Sequence, residues 1–512
     1  MEPVAQHAHR PDAGFDGGDL DCGNGLLLLI RQHMDPLPRG GLLEFRSTEI
    51  SVEVDFPAWC RLTGNELVSW TKQGTVRSFL VCKGALAERQ PQAERQSQGV
   101  GRREPLPVHQ KVVLVTIPAS LPPPAPAAPI SALAVMGIGS WPRPRWMLQA
   151  IHEHVEGRLS DDEFRATAED ATRLAVDAQL RAGVDVITDG EQRRDNYASF
   201  VGGRLDNCQL IPLTDLLPLV DDPEKFEKEM QSLDVPASEV RHPAVFGPLG
   251  RRRPLAGHEL EFVTSLTDKP AKVALPGPYL LTRTMWMECI SDRAYRSREH
   301  LAEDIVRVLR EELHFLLAAG AALVQLDEPV LSEVVFTGAK NTRSFMCGAL
   351  SEKGDATHEL AFAQTLLDRV VKGLPSERLA MHICRGNWTR DERAALAGDY
   401  RPLLPLLQEV KVGTLFLELA TPRAGELAIL KDLPADRRIG VGVVNQKHDR
   451  VEAVEEIAAR ARAAIDLFGA ERVLLTPDCG FATFADSPVA SANTAEAKLR
   501  AIVGAAAILR RG

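Results

Sequence analysis

A chain of 512 residues with 45% hydrophobic and 25% charged side chains is too long for one ordinary domain and too average to be disordered or fibrous. Its 60 Lys and Arg against 70 Asp and Glu leave a formal charge of -10, the wrong sign for a dedicated nucleic-acid binder. Eight cysteines are too sparse for a disulfide scaffold, and they read as thiols or metal ligands. The opening MEPVAQHAHRPDAGF carries no basic segment followed by an apolar core, so no signal peptide is expected. Its longest early apolar run, Leu26 to Ile30, falls far short of the roughly 20 residues that span a bilayer. The expectation is a cytoplasmic protein without membrane or nucleic-acid partners.

In chain order, residues 1–19 read as a disordered N-terminus. Residues 20–85 read as a small α+β two-layer sandwich: a loop at Cys22, a helix over Leu26–Asp35, a strand over Leu42–Ser47, a helix over Val52–Thr63, then strands around Leu67–Lys72 and Arg77–Lys83. Cys60 and Cys82 are expected to be core thiols. Residues 86–130, polar and then Pro-rich (SLPPPAPAAP), predict a linker with some extended stiffness.

From 131 to 512 short apolar runs alternate with amphipathic helical stretches. The runs are Ala132–Ile138, Val184–Thr188, Lys272–Pro276, Ala322–Leu326, Leu379–Ile383, Thr414–Leu417, Ile439–Val444 and Val473–Thr476. Helices are expected over Asp161–Ala182, Arg298–Ala319, Glu359–Val371 and Val451–Phe468. The alternation predicts an α/β fold, a (β/α)8 barrel, with an insertion around 200–268.

A barrel puts its chemistry just after the strands. The expected strand exits carry Ser140, Glu191, Asp327, His382, Cys384, Glu418, Asn445 and Cys479. His382 and Cys384 form an H-x-C pair, and residues two apart on a strand share a face. With Glu418 and Cys479 they offer two thiolates, an imidazole and a carboxylate, a donor set that suits Zn2+. A closed four-ligand site must yield a position to an incoming thiol, and Glu418, the hardest ligand, is the one expected to move. The competing reading makes Cys384 and Cys479 ordinary buried thiols.

MHICRGNW, LELA and TPDCGF, on strands beginning at IGSWPRP, resemble the catalytic domain of cobalamin-independent methionine synthases, most closely the single-barrel relatives, over about residues 131–510. The resemblance implies methyl transfer to the thiol of homocysteine, with His382, Cys384, Glu418 and Cys479 as zinc ligands. It also implies Ile138 and Ser140 at the homocysteine carboxylate end, and Glu191 and Asp327 on its amino group. Two carboxylates suit a cationic amine on chemical grounds too, the alternative being ion pairs with Arg193, Arg194 or Arg385.

The donor half departs from the family. Thr284 stands where the pterin-stacking tryptophan belongs, with Trp286 two residues late; the proton-transfer histidine falls on Lys447, beside His448; and Ala482 and Thr483 replace the basic segment. The methyl donor is accordingly methylfolate or a methylated corrinoid protein. Epoxyalkane:coenzyme M transferase, in the same barrel family, is the second enzymatic reading. A sulfonate thiol would favour cationic partners over Glu191 and Asp327. Residues 20–85 resemble the TusA/SirA sulfur-carrier family, whose acceptor cysteine falls on Cys22, with a sulfur-transfer protein as implied partner. There the family's two prolines are replaced, giving Cys22-Gly23-Asn24-Gly25. The dipole of the following helix should favour a thiolate at Cys22. A non-enzymatic alternative pairs a docking module with a degenerate barrel.

Overall fold

The computed structural model describes residues 3–22, 25–89, 116–155, 158–212, 240–336, 355–387, 389–485 and 488–511. It divides into two compact units, the first spanning residues 1–113 and the second most of the rest. Most of the expected linker and the middle of the expected insertion lie outside the described residues.

In the first unit the elements run β1 (Ala13–Asp16), α1 (Leu26–Met34), β2 (Leu42–Ser47), α2 (Val52–Thr63), β3 (Glu66–Gln73) and β4 (Val76–Cys82). The sheet order is β1-β2-β4-β3, parallel between β1 and β2 and antiparallel elsewhere. The expected disorder of residues 1–19 is therefore corrected: β1 is an edge strand. Its physical reason is Phe15, which opposes Phe45 across the ladder, as Phe45 opposes Phe79 and Phe79 opposes Trp70. The rings stack from strand to strand at centroid separations of 5.7, 5.1 and 5.6 Å, and Phe56 of α2 meets Phe45 edge-on at 4.7 Å. Each such contact adds about 0.5–1.5 kcal/mol beyond burial. Short-range periodicity around Ala13–Asp16 carries no sign of this ladder. Cys60 and Cys82 are buried.

The second unit is built on a six-stranded parallel sheet ordered β12-β11-β10-β9-β8-β7. Its strands are β7 (Lys272–Pro276), β8 (Leu323–Asp327), β9 (Leu379–Ile383), β10 (Thr414–Leu417), β11 (Arg438–Val444) and β12 (Val473–Pro477). The first two expected strands are not regular strands. They appear as isolated parallel bridges: Val135 to Leu475 of β12, Met136 to Val186, and Ile187 to Ala271 beside β7. The described parts of the expected insertion hold an antiparallel ribbon of β5 (Asp206–Pro212) and β6 (Arg241–Gly250), then a helix over Gly257–Leu266.

Helices follow the strands as the periodicity predicts, at Asp161–Ala182, Arg298–Ala318, Ala356–Val371 and Val454–Phe468. The first opens on a capping box between Ser160 and Glu163 and stops at Gly183, whose left-handed φ of 86° ends it. Strand side chains are buried throughout β7, β8, β9, β10 and β12, as continuous apolar runs in a parallel sheet require. Among the described residues no helix is long and apolar enough to cross a membrane.

Candidate metal centre

His382 lies in β9, Cys384 just past its end and Cys479 just past β12. Each offers one ligand atom, and the three atoms lie within 4.8 Å of one another. All three residues are buried. The His382 Nδ1 meets Asp327 Oδ1 at 2.9 Å, while Nε2 is buried with no hydrogen-bond partner among the described residues. An imidazole whose outer nitrogen is tied to a carboxylate and whose inner nitrogen is orphaned beside two sulfurs is arranged as a metal ligand. A hydrogen bond from Cys479 holds the Cys384 thiol below its usual range, and the same contact pushes Cys479 up.

Glu418, the fourth residue of the expected ligand set, lies outside this three-residue cluster. One of its oxygens accepts from the Arg385 backbone N–H at 2.9 Å and the other from the Arg423 guanidinium. Arg423 also holds Glu392 at 2.9 Å. The Asp478 Oδ1 accepts from the Leu419 and Ala420 N–H groups, both at 2.9 Å, and fixes the backbone that follows Glu418. Glu418 is therefore buried and satisfied outside the three-residue cluster.

One cavity, partly open to solvent, brings together Ile138, Ser140, Glu191, Asp327, His382, Cys384 and Cys479. Tyr197, Asn387 and Thr483 also line it. Glu191 occupies a left-handed backbone position (φ 55°), and its Oε2 is buried without a hydrogen-bond partner among the described residues. Burial pushes its carboxyl up to about 7 against the pull of Arg194. The alternative of ion pairs at the strand exits is not what forms: Arg194 pairs with Glu259 and Arg193 lies 3.8 Å from Glu169. Arg385 stacks on Phe336 and Tyr400.

The adjacent acids of QLDEP separate by strand alternation. Asp327 faces the cavity, whereas Glu328 accepts from the N–H groups of Tyr279 and Leu280 at the start of the helix over Pro278–Met285. Asn387 ties two strand exits together, donating to the Gly480 carbonyl at 2.7 Å and accepting from Gln446 at 2.6 Å. Two glycines make room for the lining. A Cβ on Gly139 would lie 2.2 Å from Glu191 Oε1, and one on Gly480 would lie 2.1 Å from Ser140 Oγ.

Lys447 and His448 do not line the cavity. The Lys447 Nζ donates to the Thr389 carbonyl at 2.9 Å, and exposed His448 sits 2.5 Å from Glu392. Thr284 and Trp286 are buried and outside the lining as well. Cys22 also departs from expectation. It is buried, and desolvation with the nearby Asp55 and Asp21 charges pushes its thiol up to about 12, which outweighs any help from the helix dipole.

Sequence reasoning missed Tyr197, Asn387 and the buried pair Lys272 and Gln325. Gln325 was reachable, since it stands two residues before Asp327 on one strand face. Lys272 opens an apolar run and carries no such signal.

A parallel α/β unit with a thiol–imidazole cluster at its strand exits offers a donor set that suits a soft-ligand metal ion. The family described as the catalytic domain of cobalamin-independent synthases matches residues 133–507, and the chain belongs to this cobalamin-independent methionine synthase family. A methionine synthase from Saccharolobus solfataricus is 28% identical over 345 residues, covering 67% of this chain and 86% of the relative. That from Sulfurisphaera tokodaii is 28% identical over 346 residues, covering 67% and 84%. In fold, the chain is similar to a B12-independent methionine synthase from a Shewanella species, solved in complex with selenomethionine. The TM-score is 0.56 at 24% identity, over 74% of this chain and 98% of that one.

Proposed function

We propose that this protein transfers a methyl group to the thiol of homocysteine, forming methionine, at a Zn2+ ion held by His382, Cys384 and Cys479. The observation that carries the reading is that this ligand cluster and two carboxylates, Glu191 and Asp327, line the same cavity. Bound zinc would supply Lewis acidity that lowers the pKa of the substrate thiol and keeps it a nucleophilic thiolate near neutral pH. Three protein ligands leave a fourth position for that sulfur, the pattern of catalytic rather than structural sites. The engagement of Glu418 by Arg423 and the Arg385 N–H supports three ligands over four.

The chain's own residues do the rest. Glu191 and Asp327 bind the ammonium of the amino-acid thiol, and Ser140 with the Ile138 backbone receives its carboxylate. Burial of the cluster excludes water and strengthens these charge contacts. The carboxylates favour an amine-bearing thiol over a sulfonate thiol such as coenzyme M. The bridges at Val135, Met136 and Ile187 support closure of the sheet into a (β/α)8 barrel. For the first unit, the β-α-β-α-β-β order supports a TusA-like shape, while the raised Cys22 thiol speaks against a ready persulfide carrier.

The test is zinc content of the purified chain together with methionine formation from homocysteine, using methyltetrahydrofolate or methylcobalamin as donor. About one zinc per chain and methionine from either donor is expected. A carefully prepared protein that takes up no zinc, or a zinc-loaded one that binds no homocysteine, overturns the reading.

A further inference from the structure

Lysine is among the residues least often fully buried without a carboxylate partner, yet Lys272 on β7 is 2% exposed. Its three donors go to the carbonyls of Gly137 and Ile138 and to the Gln325 Oε1, each at 2.7 Å. The Phe416 ring lies 4.5 Å from the same nitrogen. Burial lowers the Lys272 pKa to about 7, but all three neighbours of its nitrogen are acceptor oxygens, so Nζ donates to each and Gln325 turns its amide oxygen towards it. The amide nitrogen must then point the other way, and it donates to Asp327 Oδ1 at 2.7 Å. That oxygen also meets His382 Nδ1 at 2.9 Å. A carboxylate oxygen that accepts from both neighbours puts the imidazole proton on Nδ1 and leaves the Nε2 lone pair to the cysteines.

Every bond in this chain therefore has one sense, from the ammonium on β7 through the amide and carboxylate on β8 to the imidazole on β9. Both contacts to Asp327 are made by Oδ1, which leaves Oδ2 for the cavity. The Lys272 nitrogen also holds the Ile138 carbonyl, so one atom ties together both ends of the amino-acid site. Without it the amide could turn over and set its oxygen against the Asp327 carboxylate.

We propose that Lys272 and Gln325 are positioning residues that fix Asp327 for the substrate ammonium and His382 for the metal. This rests on the function proposed above for Asp327 and His382. Gln325→Glu keeps an acceptor for Lys272 and deletes the donor to Asp327; Gln325→Leu deletes both; Lys272→Met frees the amide.

The experiment uses the full zinc-loaded chain and two probes, homocysteine and its amine-free analogue 4-mercaptobutanoate, with binding followed by calorimetry. Zinc affinity is measured by competition with a chelator, and folding by circular dichroism. Wild type should prefer homocysteine. In both Gln325 variants that preference should fall about tenfold while analogue binding holds, and zinc affinity should fall about tenfold, the scale of losing an outer partner of a ligand. Lys272→Met, if folded, should behave likewise. A folded Gln325→Glu protein with wild-type preference and wild-type zinc affinity overturns the proposal alone. A wild type that binds neither zinc nor homocysteine overturns the proposed function and this inference with it.

Discussion

Cys22 in the first unit and Cys384 in the second are both buried, at 7% and 5% exposure, yet their surroundings drive them in opposite directions. Around Cys22, desolvation dominates and the Asp55 and Asp21 charges add to it, so the thiol holds its proton more tightly. Beside Cys384 stand a second sulfur that donates to it and an imidazole held by a carboxylate. Burial alone therefore does not decide whether a cysteine is inert. The donors and charges that share the pocket decide it.

The sharpest way to break this contrast is to remove a sulfur from the second unit. Cys384→Ser and Cys479→Ser should each abolish zinc binding and methyl transfer, a larger loss than the roughly 10- to 100-fold worth of an outer partner. Zinc content and methionine formation check it, with thermal melting showing that the fold survives. Next in size is reactivity. In zinc-free protein at pH 7.5, Cys384 should alkylate at least about 100-fold faster than Cys22, read by peptide mass spectrometry.

Glu191 extends the comparison to acids. Burial raises its folded-state pKa to about 7 from an ordinary 4.5, so the folded chain binds that proton more tightly than the unfolded one. Stability then falls as pH climbs between those two values and stays lower above them, by about 3 kcal/mol. Glu191→Gln should recover much of that stability at pH 8 and none of it below pH 4, measured by urea unfolding at both pH values. The same variant should raise KM for homocysteine about tenfold at pH 8, since a neutral amide no longer attracts the ammonium. In wild type this KM should rise as pH drops below about 7, and the variant should lose that dependence. Smallest are the changes at residues already satisfied or remote: Glu418→Gln should cost less than about fivefold in zinc affinity, and Cys22→Ala should leave methyl transfer unchanged.

The regular strands and most helix bounds were legible in the sequence because parallel strands buried on both faces write themselves as short apolar runs. The same logic placed Ser140, Glu191, Asp327, His382, Cys384 and Cys479 at strand exits, and the structure gathers them in one cavity. What escaped depends on long-range partners. Phe15 lies in a strand that pairs with β2, thirty residues on, and stacks on Phe45 there. The Glu418 carboxylate accepts from a backbone N–H at β9's exit, 33 residues back in the chain. Lys447 stands at the position of the family's histidine, and its Nζ donates to the Thr389 carbonyl. No local pattern encodes any of these.

Gly139 and Gly480 bear on how such a pocket can be altered. Their missing side chains are occupied by Glu191 and Ser140, so the volume is already taken by groups that handle the substrate. A mutational library that varied these two positions would mostly return misplaced carboxylates and hydroxyls. One that varied Tyr197 would change its outline, whereas Thr483 donates to the Asn387 carbonyl at 2.7 Å and belongs to the polar frame itself. The route to new thiols therefore runs through the walls of the pocket, with its two close-packed glycines kept constant.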